Sequence, residues 1–265
     1  MNATDAAYTV IETITQMAQE QRPLMLRVLP EGGESNFWKH YPKGDARDAK
    51  TKSRWYYHVH APGSRDEGEH GHFHLFLHRT QLPKGLEPKV WPPQGEDCKA
   101  HVTHLVGLSI DTVGIPRAWF TVNRFVTNEF LFPADVMIEH LPDFNVDQTK
   151  EDDLVNRFVT AMVALYREEI AELLRQRDVR HAELVVELFV ELLVLGLQPP
   201  APQRLLQLVV EVLQVDRLGH EIERPVLGGL HRGLDAHHGG PQAPHGHRDS
   251  AHPGARADGA RPHLR

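Results

Sequence analysis

Apolar and polar residues alternate most clearly in two stretches, residues 54–60 (RWYYHVH) and 71–79 (GHFHLFLHR). A period of two residues is typical of a β-strand with one buried face. The polar, glycine-containing segment APGSRDEGE separates the two stretches and predicts a hairpin with a long loop. A second pair, residues 101–111 and 117–126, flanks TVGIP, whose glycine and proline are typical of a turn. The two hairpins predict an antiparallel sheet of at least four strands.

Two further segments repeat their apolar residues at helical spacing. Residues 4–20 carry an i, i+3, i+4, i+7 stripe, which predicts an amphipathic helix. Residues 149–178 carry a similar stripe and acidic residues in the first turn, with Thr149 as the expected N-cap. Residues 30–51, rich in Gly, Pro, Asp and Lys, are expected to be mostly loop. We therefore predict an α+β fold in which N- and C-terminal helices pack on one face of the sheet.

The composition changes abruptly after residue 178, where Lys, Thr, Asn, Met, Trp, Tyr and Cys vanish. We interpret residues 1–178 as a single α+β domain and residues 179–265 as a compositionally aberrant segment. Its end has too little apolar surface to offset chain entropy and is expected to be disordered. Three origins are considered: a helix with a natural disordered tail, a metal-storing histidine-rich tail, and out-of-frame translation of GC-rich DNA. The last is favoured.

Composition and charge narrow the class of protein. The net charge of −7 and the lack of a basic stripe argue against nucleic-acid binding, which needs clustered Lys and Arg. The single cysteine, Cys98, excludes an intramolecular disulfide. The most apolar run, LVVELFVELLVLGL, contains glutamates and is shorter than the ~20 residues that span a bilayer. We expect a cytoplasmic protein with no nucleic-acid or membrane partner, acting on a small molecule if it is an enzyme.

Each strand of the first hairpin has one apolar face and one histidine face. The histidine faces comprise Tyr56, His58 and His60 on one strand, and His72, His74, Phe76 and His78 on the other. The opposite faces comprise Trp55, Tyr57, Val59, Phe73, Leu75 and Leu77. Because burial of one face fixes strand register, the apolar faces are expected to align, with His58 opposite His72. The histidines should then collect on one side of the sheet.

Such a collection predicts a metal site. Two histidines at i and i+2 on a strand can both reach one ion at ~2.0–2.1 Å, and a neighbouring strand can supply a third. The candidate ligands are His58, His60, His72 and His74, with His70 and His104 as substitutes. Candidate carboxylates are Glu69, Asp111 and Glu129, and candidates for the rim are His40 and Asp45. Imidazole suits Zn, Fe, Ni and Cu alike, so the spacing does not select the ion, and the expected cofactor is one transition-metal ion, Zn, Fe, Ni or Mn.

Three interpretations of the histidines stay open at this point. A metal with an open position would support hydrolysis or oxygen chemistry on a small molecule. A closed or metal-free cluster would suit a non-enzymatic module that responds to metal or to pH near 6–7. The third interpretation is a packed face whose rings donate to carboxylates or carbonyls. None of the three identifies a catalytic residue.

Several motifs together resemble a known family. HYPKGDARD, YYHVHAPG, EHGHFHLFLH, THLVGLSIDTVGIP and FTVNRFVTNE occur in this order. They resemble a bacterial family that is described only as a domain of unknown function, over roughly residues 35–178, with EHGHFHLF as the most specific string. The resemblance implies a small cytoplasmic protein and brings no activity, substrate or catalytic residue with it.

Overall fold

The computed structural model describes residues 1–31, 36–37, 39–60, 68–92, 95, 101–122, 129–194 and 222–225. The helices are α1 (Ala3–Gln19), α2 (Leu24–Val28), α3 (Ala134–Glu139), α4 (Asp153–Leu165) and α5 (Arg167–Val194). The strands are β1 (Tyr41–Arg47), β2 (Arg54–His58), β3 (Glu69–His78), β4 (Val102–Asp111), β5 (Pro116–Thr121) and β6 (Ile222–Pro225).

The strands form one antiparallel sheet in which each strand pairs with the next along the chain. Both expected hairpins are present, β2 with β3 and β4 with β5. With helices at both ends of the domain, the predicted α+β class is confirmed. In the part of the chain that the structure describes, no helix is both long and apolar enough to cross a bilayer.

The main hydrophobic core lies between one face of the sheet and the helices. Trp55, Phe73 and Leu75 are buried there, as the alternation predicts, together with residues of α1, α4 and α5. The indole Nε1 of Trp55 donates a hydrogen bond to Oδ1 of Asn156 on α4, at 3.0 Å. The polar atom of the buried indole is thereby satisfied, and β2 is tied to the helical layer. The histidines project from the opposite face.

The prediction that residues 30–51 are mostly loop is wrong for β1. Among the described strands, β1 pairs only with β2, and its register shifts between Tyr41 and Ala46. Gly44 and Asp45 within the shift have positive φ angles of 92° and 61°. An irregular edge strand buries few residues and tolerates Gly, Pro and charge. Its composition therefore resembles that of a loop.

The single helix predicted over residues 149–178 is two helices. The expected cap, Thr149, lies before α4, where its hydroxyl donates to Asn156 at 2.9 Å. The N-cap is Asp152, whose carboxylate accepts hydrogen bonds from two backbone N–H groups of the first turn. A second Asp152 oxygen binds Arg27 at 2.9 Å. Asp152 thus both caps α4 and links it to Arg27 of α2.

Helix α5 continues through residue 178. Its apolar side chains are buried as far as Leu174, whereas Val179, Val186 and Val190 are 59%, 60% and 51% exposed. The predicted disorder of the chain end falls on residues 195–221 and 226–265, which lie outside the described residues. The out-of-frame origin stays a prediction, and the gene tests it. Other reading frames beyond codon 178 without a helical continuation would contradict it.

Candidate metal centre

Strand pairing brings the histidines of two strands together. His58 on β2 lies directly opposite His72 on β3, the register expected from the sequence. His74 follows two residues along β3 and projects to the same side. All three side chains are almost fully buried, with 6%, 1% and 0% of their surfaces exposed respectively.

The ring nitrogens of these three residues converge. Each of His58, His72 and His74 offers one ligand atom, and these atoms all lie within 4.8 Å of one another. The Nε2 atoms of His72 and His74 are 3.0 Å apart. Two nitrogens that share an ion tetrahedrally at ~2.0–2.1 Å are about 3.3 Å apart. The three histidines are therefore close enough to hold one metal ion.

His60 lies beside this group. Its Nε2 atom is 2.9 Å from Nε2 of His58, and its ring centroid is 5.0 Å from that of His72. Unlike the other three, His60 is only half-buried. It therefore occupies the side of the cluster that is nearer to solvent.

The outer nitrogens of the two β3 histidines also have partners. Nδ1 of His72 contacts Oε1 of Glu69 at 2.8 Å, and the hydroxyl of Ser109 donates to the other Glu69 oxygen at 2.5 Å. Nδ1 of His74 contacts Nε2 of His104 at 2.9 Å. Partners of this kind fix the orientation of a ligating imidazole and raise its basicity. Both rings are thus held with Nε2 directed towards the same place.

Two proton arrangements satisfy these contacts. In the first, His104 donates to His74, His74 donates through Nε2 to His72, and His72 donates through Nδ1 to Glu69. In the second, His74 instead donates through Nδ1 to His104, so that both Nε2 lone pairs point at one place and a cation is needed there. The same geometry thus serves a hydrogen-bonded chain without metal and a ligand pair with metal.

His104 is a neutral member of this network. Burial, together with the nearby charge of Arg177, lowers the pKa of His104 to about 3. The backbone N–H of His104 donates to Oε1 of Glu129 at 3.2 Å. His104 therefore does not titrate between pH 6 and 7, the range in which a pH-responsive histidine would act.

This pKa predicts how the stability of metal-free protein depends on pH. The folded-state pKa lies below the unfolded value of about 6.5, so stability is full above that pH and declines as the pH falls towards 3. His104 alone contributes a slope of at most about 1.4 kcal/mol per pH unit. Urea unfolding between pH 7.5 and 5 should give a shallower slope for His104→Gln than for the wild type. Equal slopes would contradict the assignment.

Other predicted site residues lie elsewhere. His70 sits where the β3–β4 register shifts, and its Nδ1 contacts the hydroxyl of Tyr57, a residue of the opposite face, at 2.8 Å. Burial lowers the pKa of His70, whereas the charge of Glu69 acts in the opposite direction. Asp111 accepts hydrogen bonds from Val113 and Ile115 in the β4–β5 turn. The Asp111 carboxylate is thus engaged by backbone N–H groups of the turn. His70 contacts Tyr57 and is not one of the three converging histidines.

The rim candidates do approach the cluster. The His40 ring stacks on Tyr56 with centroids 3.6 Å apart and lies 6.2 Å from the His58 ring. Nδ1 of His40 is 3.1 Å from Asp45, which also contacts Arg54 at 3.3 Å. Tyr56, on which His40 stacks, also lies near the buried histidines, with its ring centroid 5.7 Å from that of His58 and 4.9 Å from that of His74.

The sequence did not identify one wall of the site, formed by Phe120 over Gly107. These two residues are opposite each other on β5 and β4. A Cβ at position 107 would lie 2.3 Å from the Phe120 ring, so glycine is what allows the ring to lie over the strand. The ring meets His72 edge-on, with centroids 4.9 Å apart. Gly107 pairs with His74 in the sheet. The contact of Phe120 with the histidine cluster could therefore have been predicted if the β3–β4 and β4–β5 registers had been known.

Fold and site together define an α+β protein with a buried histidine cluster on the sheet face opposite the helices. Residues 4–188 match the model of a family described as a domain of unknown function (DUF6969). The chain belongs to that family, which confirms the resemblance seen in the sequence. A search of curated proteins gave no match, and a search of solved structures gave none either.

Proposed function

We propose that the protein binds one divalent transition-metal ion through His58, His72 and His74. The observation that supports this most strongly is the convergence of three ligand atoms within 4.8 Å. Glu69 and His104, which hold the outer nitrogens, are the second layer that a histidine–metal site requires. Zn, Fe, Ni and Mn are the candidate ions; imidazole suits the first three best, whereas Mn prefers oxygen ligands.

Titration of the full chain with a divalent metal ion tests this proposal. After chelator treatment and dialysis, the protein should take up one equivalent of Zn²⁺ or Co²⁺ with micromolar or tighter affinity. Because the chain has 19 histidines, seven of them after residue 230, a His72/His74 double alanine variant provides the background. Equal uptake by the wild type and this variant would contradict the proposal.

We further propose that the ion keeps a position open to a small-molecule substrate. Support comes from the three histidines that converge among the described residues, and from the half-buried His60 on the solvent side of this group. A bound divalent ion would polarise a substrate oxygen or activate water there, which suits metal-assisted hydrolysis, or oxygen chemistry if the ion is iron. His40 and Asp45 lie on the same side as candidate rim residues.

A non-enzymatic binding module is the alternative function. One observation favours it: the chain from His104 through His74 and His72 to Glu69 is complete without metal. A site that is stable both with and without bound metal suits a sensor of metal level. The module would respond to metal, or to pH through cluster histidines other than His104, whose pKa is lowered by burial.

Replacing His60 separates these two functions. In an open three-ligand site, His60→Ala should change metal affinity less than about tenfold, and water should fill the open position. In a closed four-ligand site, the same change should weaken binding by about a hundredfold or more, as loss of a ligand does. The d–d absorption of the Co²⁺ form, measured with and without added azide, reports which site is present. No azide shift would contradict an open position.

Glu69 is expected to tune metal affinity without binding the ion. Glu69→Gln keeps an acceptor for His72 but removes the charge, whereas Glu69→Ala removes both. We expect affinity losses of about tenfold and about a hundredfold respectively, the range found for such outer partners. Chelator competition measures both, with Glu139→Gln on the exposed side of α3 as the control. Wild-type affinity in Glu69→Ala would contradict this role.

Cellular setting and partner remain proposals. We propose a cytoplasmic protein, supported by the single cysteine, which needs no oxidising compartment. A small molecule is the proposed ligand, and the net charge of −7 supports the absence of a nucleic-acid partner.

A further inference from the structure

A second candidate site lies at the far end of β3, where the chain turns away from the sheet. A cleft of about 420 Å³ is lined by the residues that follow this strand, together with His101 and Phe132. Its volume falls within the range of about 300–1,000 Å³ that is typical of small-molecule pockets. His78 is four residues beyond His74, so the cleft lies roughly 13 Å along the strand from the histidine cluster.

Arg79 is the most distinctive residue of this cleft. Its guanidinium carbon lies 4.4 Å from the Phe130 ring centroid, 5.4 Å from that of Trp91 and 6.0 Å from that of Phe132. Its backbone N–H donates to the carbonyl of His101 at 2.8 Å. Within the described residues, the guanidinium has neither an ion pair nor a hydrogen bond. Its donors are therefore held in place by packing and are available to a ligand.

Three more cationic or ionisable side chains surround Arg79: His78, Lys84 and His101. Among the described residues that line the cleft, none is acidic. Burial lowers the pKa of His78, and the nearby charges of Arg54, His101 and Lys52 lower it further. Arg79 and Lys84 give the cleft a positive charge on a chain whose net charge is −7. An anion is the ligand that such a site attracts.

The remaining walls are apolar. Leu82 and Phe132 are buried, and Leu86 is half-buried beside them. We propose that the cleft binds a small organic anion, with Arg79 holding a phosphate or carboxylate and the apolar walls holding the body of the molecule. Arg is suited to this task because its planar fork matches both anionic groups. The site goes beyond the proposed metal centre and does not depend on it.

Isothermal titration of the full chain with phenyl phosphate, benzoate and inorganic phosphate tests the proposal. Phenyl phosphate or benzoate should bind with one site per chain, and the tighter of the two identifies the anionic group. Inorganic phosphate, which lacks an apolar body, should bind at least about tenfold more weakly. Failure of both aromatic anions to bind at millimolar concentration would overturn the proposal.

Variants locate the binding. Arg79→Lys keeps the charge but loses the fork, and Lys84→Ala removes an exposed charge that no packing depends on. Each should weaken binding by about tenfold. Lys43→Ala, an exposed lysine of β1, is the matched control and should bind as the wild type does. Wild-type affinity in both cleft variants, or an equal loss in Lys43→Ala, would overturn the proposal even if metal binding is intact.

Discussion

Replacing His72 or His74 by alanine is expected to abolish metal binding, weakening it by more than about a hundredfold. Each change removes one of the two Nε2 atoms that lie 3.0 Å apart and leaves at most two converging ligands. Loss of a residue that hydrogen-bonds to a metal ligand typically lowers metal affinity ten- to a hundredfold. Loss of the ligand itself should lower the affinity at least as much. Chelator competition with Zn²⁺ measures the affinity.

The matched control is His78→Ala, since His78 lies on the same strand and is directed to the same face but is outside the converging group. It should retain wild-type metal affinity. Removing a buried, hydrogen-bonded imidazole should also destabilise the metal-free protein by about 1–3 kcal/mol, which leaves a folded domain. Urea unfolding checks this. If His72→Ala unfolds the domain and the wild type takes up no metal, the histidines are a packed structural face.

The second large effect is expected at Gly107. An added Cβ would meet the Phe120 ring at 2.3 Å, so Gly107→Ala forces this ring away from the strand. Overpacking of this kind costs about 1–3 kcal/mol. Because the same ring packs edge-on against His72, metal affinity should fall together with stability. Thermal unfolding and Zn²⁺ titration measure the two effects.

A double-mutant cycle tests whether the contact with Phe120 is the cause. Phe120→Leu removes the flat ring and should make Gly107→Ala much less costly, giving a coupling energy of about 1 kcal/mol or more. Additive effects of the two changes would contradict the proposed contact. Ala118→Gly, two residues before Phe120 on β5, controls for general weakening of the strand pair.

The side-chain alternation made the histidine cluster predictable. The apolar faces of β2 and β3 had to align in the core, and this alignment alone puts His58 opposite His72. The argument fails at His70, whose position has the same parity, because the register shifts between Glu69 and Gly71. Gly71, an isolated glycine beside the strand pattern, is the local signal that could have indicated this irregularity.

Contacts between distant segments of the chain could not be predicted from the sequence pattern. The pairing of Glu69 with Ser109 requires the β3–β4 register, although both residue types suit a hydrogen-bonded outer layer. Arg79 ends the predicted strand of residues 71–79, and no local pattern indicates that its guanidinium lies over the Phe130 ring. The break between α4 and α5 is likewise hidden, because the apolar stripe continues across it.

X-ray absorption at the metal edge of the purified full chain tests the central claim most directly. With one equivalent of bound Zn²⁺, the account predicts a shell dominated by imidazole nitrogen at about 2.0–2.1 Å with three histidines. The same sample prepared from the His72/His74 double variant should lose this signal. A shell of oxygen ligands, or an unchanged imidazole signal in the double variant, would show that the metal binds elsewhere and would contradict the account.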